Sequence, residues 1–136
     1  MDELVMFLRA RLDEDEQEAL AASPGPWKAN AEQDEVLAVD DIEVATGFAL
    51  SGEQLRATVR HIVRHDPPRA LREVASKRRI IDREVERARE GWRRRLEEHR
   101  MTFDEWAGHF RWETLDLLAA AYADHPEYQE QWRPPA

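Results

Sequence analysis

The sequence predicts an α+β domain that is predominantly α-helical: an N-terminal helix, a small antiparallel β-hairpin, then a helical bundle with one long basic helix. Three observations predict it. Apolar residues recur at helical spacing through most of the 136 residues. The β-favouring residues cluster in one window, Val36 to Thr46. Caps and prolines punctuate the remainder at intervals that suit helices. At this length, with 42% hydrophobic residues, the chain reads as a single domain over 1–136 with one modest core.

The first helix is expected over 1–22, from about Asp2 to Ala22. Leu4, Val5, Leu8, Leu12, Ala19 and Leu20 recur at helical spacing, and Asp2 is the cap. Glu3 suits the positive end of the helix dipole. "SPGP", Ser23 to Pro26, stops it. The hairpin follows over 27–48. Val36, Leu37 and Val39 form one strand, Ile42, Val44 and Thr46 the other, and Asp40-Asp41 is the tight turn. Trp27 to Ala31 can add a third strand. Two strands alone are marginal in water, so the hairpin must lie on helices, with Trp27 and Phe48 to hold it there.

"SGEQ" is a capping box, Ser51 with Gln54, and opens a helix over 51–65 whose stripe is Leu55, Val59, Ile62 and Val63. "HDPP" is a joint: Asp66 caps the next helix and Pro67 occupies its first position. That helix is expected over 67–100, some 50 Å at ~1.5 Å per residue. A 3-4 repeat runs through Leu71, Val74, Arg78, Ile81, Val85, Ala88, Trp92, Arg95 and His99, interrupted at its arginines. Gly91 is the point where it could kink. Pairs such as Glu73–Lys77, Arg83–Arg87 and Glu86–Glu90 give mixed i,i+4 support.

"TFDE" is a second capping box, Thr102 with Glu105, opening a helix over 102–123. Its apolar face is Phe103, Trp106, Phe110, Leu117, Leu118, Ala121 and Tyr122. A short C-terminal helix is expected over 126–132, capped by Asp124 or His125, with Tyr128 and Trp132 clamping it to the body.

Composition excludes several chemistries. There is no cysteine, hence no disulfide, thiolate zinc site or cysteine nucleophile, which suits a reducing cytoplasm. No apolar run approaches the ~20 residues of a membrane span, and the acidic N-terminus is wrong for a secretory signal. The net charge of -9 is unevenly laid out: residues 1–55 hold 14 acidic and 3 basic groups, 56–100 hold 8 and 15, and 101–136 hold 7 and 2. Either the acidic ends fold back on the basic helix, or the basic face is open to an acidic partner.

"MDELVMFLRARLDEDEQEA", "GFALSGEQLRATVRHIVRHDPPRALREVASKRRIID" and "LDLLAAAYADHPEYQEQWRP" together resemble a family of small actinobacterial and actinophage proteins, a domain of unknown function. "HIVRHDPPRALREV" and "YADHPEYQEQW" carry the resemblance most specifically. Relatives vary mostly between the "KRRI" segment and the C-terminal motif, where some carry cysteines. A cysteine-based site in those relatives has no counterpart here. The resemblance implies a cytoplasmic protein and leaves a phage-derived accessory or counter-defence role open. It supplies no activity and no catalytic residue.

Candidate sites follow from the residues. His61 and His65 have the i,i+4 spacing of a metal pair, which His125 or Asp124 could complete. Yet HEXXH is absent and Arg64 intervenes, so helix-end roles for His65 and Asp66 explain the pair without a metal. No G-x-S-x-G, no glycine-rich phosphate loop and no cofactor motif is present, so no catalytic residue and no small-molecule substrate is inferred. The carboxylates of "DEDE", Asp13 to Glu16, read as a solvated helix face. On the basic helix, Arg79, Arg83, Arg87 and Arg94 line one ridge, and Trp92 is the aromatic beside them. These five residues are the candidate partner-binding set. Three functions fit. The first is a non-enzymatic protein-interaction or regulatory module, with a protein partner or self-association. The second is a nucleic-acid-binding protein using 69–100. The third is an acidic mimic of nucleic acid using the N-terminal region.

Overall fold

A computed structural model of the chain describes residues 2–136, apart from the side chains of Leu96, Glu97 and His99. The side chain at the last position of the heptad series, His99, therefore lies outside what is described. The described elements are α1 (Glu3–Ala21), β1 (Lys28–Ala29), β2 (Glu35–Leu37), β3 (Glu43–Thr46), α2 (Gly52–Arg64), α3 (Pro67–His99), α4 (Phe103–His109) and α5 (Glu113–Ala119). Single turns of 3-10 helix follow at Ala120–Tyr122 and Glu130–Trp132. The predominantly helical α+β class read from the sequence is the class observed. The chain divides into two compact units, Glu14–Val74 and Met1–Asp13 with Ala75–Ala136.

In the unit Glu14–Val74 the sheet is an antiparallel meander in the order β1-β2-β3, so the optional third strand exists. The Asp40-Asp41 turn forms as expected, both residues taking positive φ, 62° and 56°. This is the backbone that primed hairpin turns demand and that Asp tolerates better than most residues. The register shifts between Val36, opposite Ala45, and Leu37, opposite Glu43, which leaves Val44 as a bulge. The sheet rests on α2, which packs against β1 and β2. Phe48 does not hold it there: its side chain is 91% exposed. The contact is made instead by Gly47, whose N–H donates to Asp34 O at 2.7 Å. A Cβ on Gly47 would stand 2.6 Å from Leu55 Cδ1, so the backbone itself meets α2 and the chain leaves with Phe48 turned to solvent.

Ser51 caps α2, its hydroxyl accepting from Gln54 N–H at 3.2 Å. The return arm of the expected capping box goes to Leu50 N–H rather than to Ser51. Asp66 is buried and does two jobs. Its Oδ1 accepts from Arg69 N–H at 3.1 Å, capping α3, and its Oδ2 accepts from Trp27 N–H at 3.2 Å. The Trp27 indole donates to Ser23 O at 2.8 Å, so the "SPGP" stop is closed on itself. Glu73 pairs with Arg69 at 3.0 Å rather than with Lys77.

In the other unit α1 buries Leu4, Val5, Phe7, Leu8 and Leu12, and α3 buries Ile81, Val85 and Ala88. Asp2 caps α1 as expected, accepting from Leu4 N–H at 2.9 Å. Arg78, the first interruption of the apolar repeat, pairs with Asp13 at 2.8 Å, and Arg9 pairs with Asp82 at 3.3 Å. Helix α3 runs through Gly91 without a break.

The helix expected over 102–123 is two helices. The Thr102–Glu105 capping box forms in full, but α4 ends at His109 and α5 starts at Glu113. At ~100° per residue, Phe103, Trp106, Phe110, Leu117 and Ala121 would share one face of an unbroken helix, with Trp112 about 180° from Phe103. The break reverses the outcome: Trp112, Leu115 and Ala119 are buried, while Leu117 is 65% exposed. A buried tryptophan removes ~150–250 Å² from water, about 4–6 kcal/mol at ~25 cal/mol per Å², against about 1.5–3 kcal/mol for a leucine. The ring area of Trp112 thus outweighs that of the exposed Leu117, although its buried indole N–H is left without a hydrogen-bond partner among the described residues.

The short helix expected over 126–132 reduces to the turn Glu130–Trp132. His125 does cap locally: its Nδ1 accepts from Glu127 N–H at 3.1 Å. Tyr128 and Trp132 do clamp the segment. Their rings lie 5.8 Å apart, and both meet Phe7 of α1, at 6.2 and 5.0 Å.

Replacing Asp66 by Ala removes a helix cap and orphans the Trp27 N–H, an expected loss of about 2–4 kcal/mol in urea unfolding, with Asp66→Asn losing less. A second expectation concerns Asp116 on α5. Desolvation raises its carboxyl above the ordinary value; Arg111 opposes this, and Asp2 and Glu113 add to it. The folded chain therefore holds this proton to higher pH than the unfolded chain, and the stability so gained is lost as pH rises through the folded-state value. Asp116→Asn is expected to melt higher than wild type at neutral pH, the difference closing as acid protonates Asp116 in both states. Thermal melts between about pH 3 and 8 check this.

Candidate functional site

Helix α3 presents four of the five candidate partner-binding residues as a column. Arg79, Arg83, Arg87 and Arg94 fall within an arc of about 80° and span about 22 Å along the axis. All four are exposed. Among the described residues, Arg79, Arg83 and Arg94 have no hydrogen-bond or ion-pair partner. Arg87 reaches Glu84 at 3.5 Å, with 71% of its side chain exposed.

Trp92 does not belong to this column. It stands on another side of α3, half-buried, and its indole N–H donates to Met101 O at 2.8 Å. Its ring meets Phe103 edge-on at 5.9 Å. The indole fastens the start of α4 to the end of α3, its N–H satisfied by Met101 O.

Of the other arginines of α3, two are drawn to aromatic rings rather than to carboxylates. The Arg89 guanidinium lies 4.6 Å from the Phe103 centroid, and that of Arg95, the second interruption of the apolar repeat, 5.7 Å from Trp106. Arg93 pairs with Glu86 at 3.1 Å.

At its C-terminal end the arginine column opens into a cleft of about 490 Å³ between α3 and α4. Arg87, Glu90, Gly91, Arg94 and Arg95 line it from α3, and Trp106, His109, Phe110 and Arg111 from the other wall. The break after α4 builds that second wall: α4 ends at His109, and the extended Phe110 carries Arg111 onward. Arg111 pairs with Glu113 at 3.0 Å, 69% exposed. Sequence reasoning missed Arg95, Trp106, His109, Phe110 and Arg111 as a group. The available signal was the change of apolar phase between Phe110 and Trp112, which marks the break.

The three weak metal candidates take other roles. His65 ends α2, its N–H donating to Ile62 O at 3.0 Å and its Nδ1–H to His61 O at 2.7 Å. The rings of His61 and His65 lie 4.4 Å apart. Nδ1 of His125 faces the Arg11 guanidinium at 2.9 Å, so it accepts there and its proton sits on Nε2. Among the described residues no group of three or more His, Asp or Glu could hold a metal ion.

Fold and site together define a small, predominantly helical α+β protein with an arginine-lined face. Comparison with curated proteins and with solved structures finds no match. A family model does match: the chain belongs to a family of unknown function, DUF6221, whose model covers residues 1–134. Among the described residues no helix is long and apolar enough to cross a membrane.

Gly91 bears on how the cleft is built. A Cβ there would meet Trp106 Cζ2 at 3.7 Å, an ordinary contact, in the middle of a continuous helix. Gly91→Ala is expected to stabilise the chain by about 0.5–1 kcal/mol through helix propensity. A melting temperature that falls would show that the wall has no room for the added methyl group.

Proposed function

We propose that the chain is a non-enzymatic binding module that docks an acidic protein partner on the arginine face of α3. One observation carries the reading. Arg79, Arg83 and Arg94 stand exposed on one face without a partner among the described residues, in a chain of net charge -9. Like charges at i,i+4 cost a helix a few tenths of a kcal/mol and contribute nothing to packing. Their complement lies in association, where opposite charge speeds encounter and sets orientation, with exposed Glu90 the one carboxylate inside the arc of the four arginines. Nucleic acid offers the same complement. One fact favours a protein: Trp92, the aromatic named for stacking on a base, is engaged with Met101 and Phe103.

The resemblance to actinobacterial and actinophage proteins adds a setting: a cytoplasmic accessory or counter-defence factor. An acidic stretch on a host protein is the complement such a factor would seek.

The experiment compares wild type with Arg79→Glu/Arg83→Glu as bait in native host extract, with mass spectrometry as readout. Both residues are exposed, so circular dichroism should be unchanged. Wild type is expected to retain an acidic protein that the double variant loses, and added salt should weaken that capture. Retention of the same protein by both baits counts against the arginine face. Retardation of labelled DNA or RNA at low salt, lost in the variant, moves the assignment to nucleic acid.

A further inference from the structure

We propose that the cleft between α3 and α4 binds a nucleoside diphosphate, with its phosphates on the guanidinium rim and its base on the aromatic wall. This goes beyond the protein-docking reading: the two share Arg87 and Arg94, but Arg79 and Arg83, which test the docking reading, lie outside the cleft. At about 490 Å³ the cleft is within the ~300–1,000 Å³ that small-molecule sites occupy. Two chemistries meet in it that a single surface rarely combines.

The first is positive charge held loosely. Arg87, Arg94, Arg95 and Arg111 line the cleft against one carboxylate, Glu90. Arg94 has no partner among the described residues, so it can engage phosphate oxygens without breaking a bond. Arg87 holds Glu84 only at 3.5 Å, and Arg111 holds Glu113 in an exposed pair. Exposed pairs of this kind stabilise little and exchange readily for a more highly charged acceptor. The planar guanidinium fork matches phosphate oxygens two at a time. A single phosphate monoester, at about −1.5 to −2, leaves part of this rim unmatched; a diphosphate matches it better.

The second is a fixed flat surface. Trp106 is pinned by its indole N–H, which donates to Ala88 O at 3.1 Å. Gly91 opposite brings no side chain to the indole edge. The Arg95 guanidinium lies 5.7 Å over the ring, and a base can stack on either plane. Phe110, held edge-on against Trp112 at 4.9 Å, adds a second ring to the wall. A bare phosphate would use the rim and leave this wall idle; a neutral nucleoside would do the reverse.

The test is calorimetric titration of the full chain at low salt with ADP, GDP, adenosine, inorganic phosphate and a short single-stranded oligonucleotide. ADP or GDP is expected to bind one to one, at least about tenfold tighter than adenosine or phosphate. Arg94→Ala and Arg95→Ala should each weaken it by about tenfold, while Arg60→Ala, an equal charge loss on exposed α2, leaves it unchanged. The proposal is overturned by no saturable binding of either nucleotide, or by phosphate binding as tightly as ADP, which reports general anion attraction. It is also overturned by an oligonucleotide that binds more tightly than ADP, or by equal losses in Arg60→Ala and Arg94→Ala. Circular dichroism of each variant separates lost binding from lost fold.

Discussion

Helix α3 has 33 residues and a narrow apolar stripe, and that constraint governs much of what surrounds it. Ile81, Val85 and Ala88 are buried, and arginine and glutamate fill most of the remaining circumference. A helix with one narrow stripe can be covered on one side only. The charges elsewhere on it must face water, pair along the helix, or be met by whatever packs at the margin of the stripe. The exposed arginine column follows from the first of these outcomes, and the cleft from the last.

At the margin, carboxylates and aromatic rings share the work. Asp13 takes Arg78, whereas Phe103 and Trp106 take Arg89 and Arg95 by their faces. The same device serves α1. Arg11 is buried at 6% exposure, its guanidinium 5.1 Å from the Phe7 ring, and it reaches His125 and Glu127 of the C-terminal segment. Aromatic faces attract a cation without adding a second buried charge, which spares the desolvation that a buried ion pair entails. Phe7 thereby holds both Arg11 and the Tyr128–Trp132 clamp, and the last ten residues are fastened by rings more than by backbone hydrogen bonds.

Features set by short-range chemistry were legible in the sequence. Asp2, Asp66 and Thr102 cap the helices they precede, and Asp40-Asp41 makes the turn, because each needs only a side-chain oxygen or a permissive backbone within a few residues. What was not legible depends on competition between distant partners. The break at Phe110–Trp112 buries Trp112 in place of Leu117, an exchange that local propensity does not record. Phe48 was assigned to the sheet by its size, yet Gly47 makes the contact. The Asn30 side chain, which accepts from the N–H groups of Asp34 and Glu35 and so closes the β1–β2 loop, was a local signal left unused. The arginine column was visible as spacing. The cleft was not, since its second wall is a product of the break.

That difference bears on how far a charge run can be read. Spacing alone places Arg79, Arg83, Arg87 and Arg94 on one ridge, but a ridge on a helix is most often a solvated surface. A run becomes a candidate site when something else converges on it. At Arg79 and Arg83 nothing does, and only charge complementarity speaks for a partner there. At Arg87 and Arg94 the turn after α4 brings Trp106, Phe110 and Arg111 to the same hollow. The two ends of one column therefore carry different chemistry. The N-terminal end suits a broad acidic surface, which needs no pocket. The C-terminal end suits a compact ligand, since an aromatic-walled cleft discriminates by shape as well as by charge.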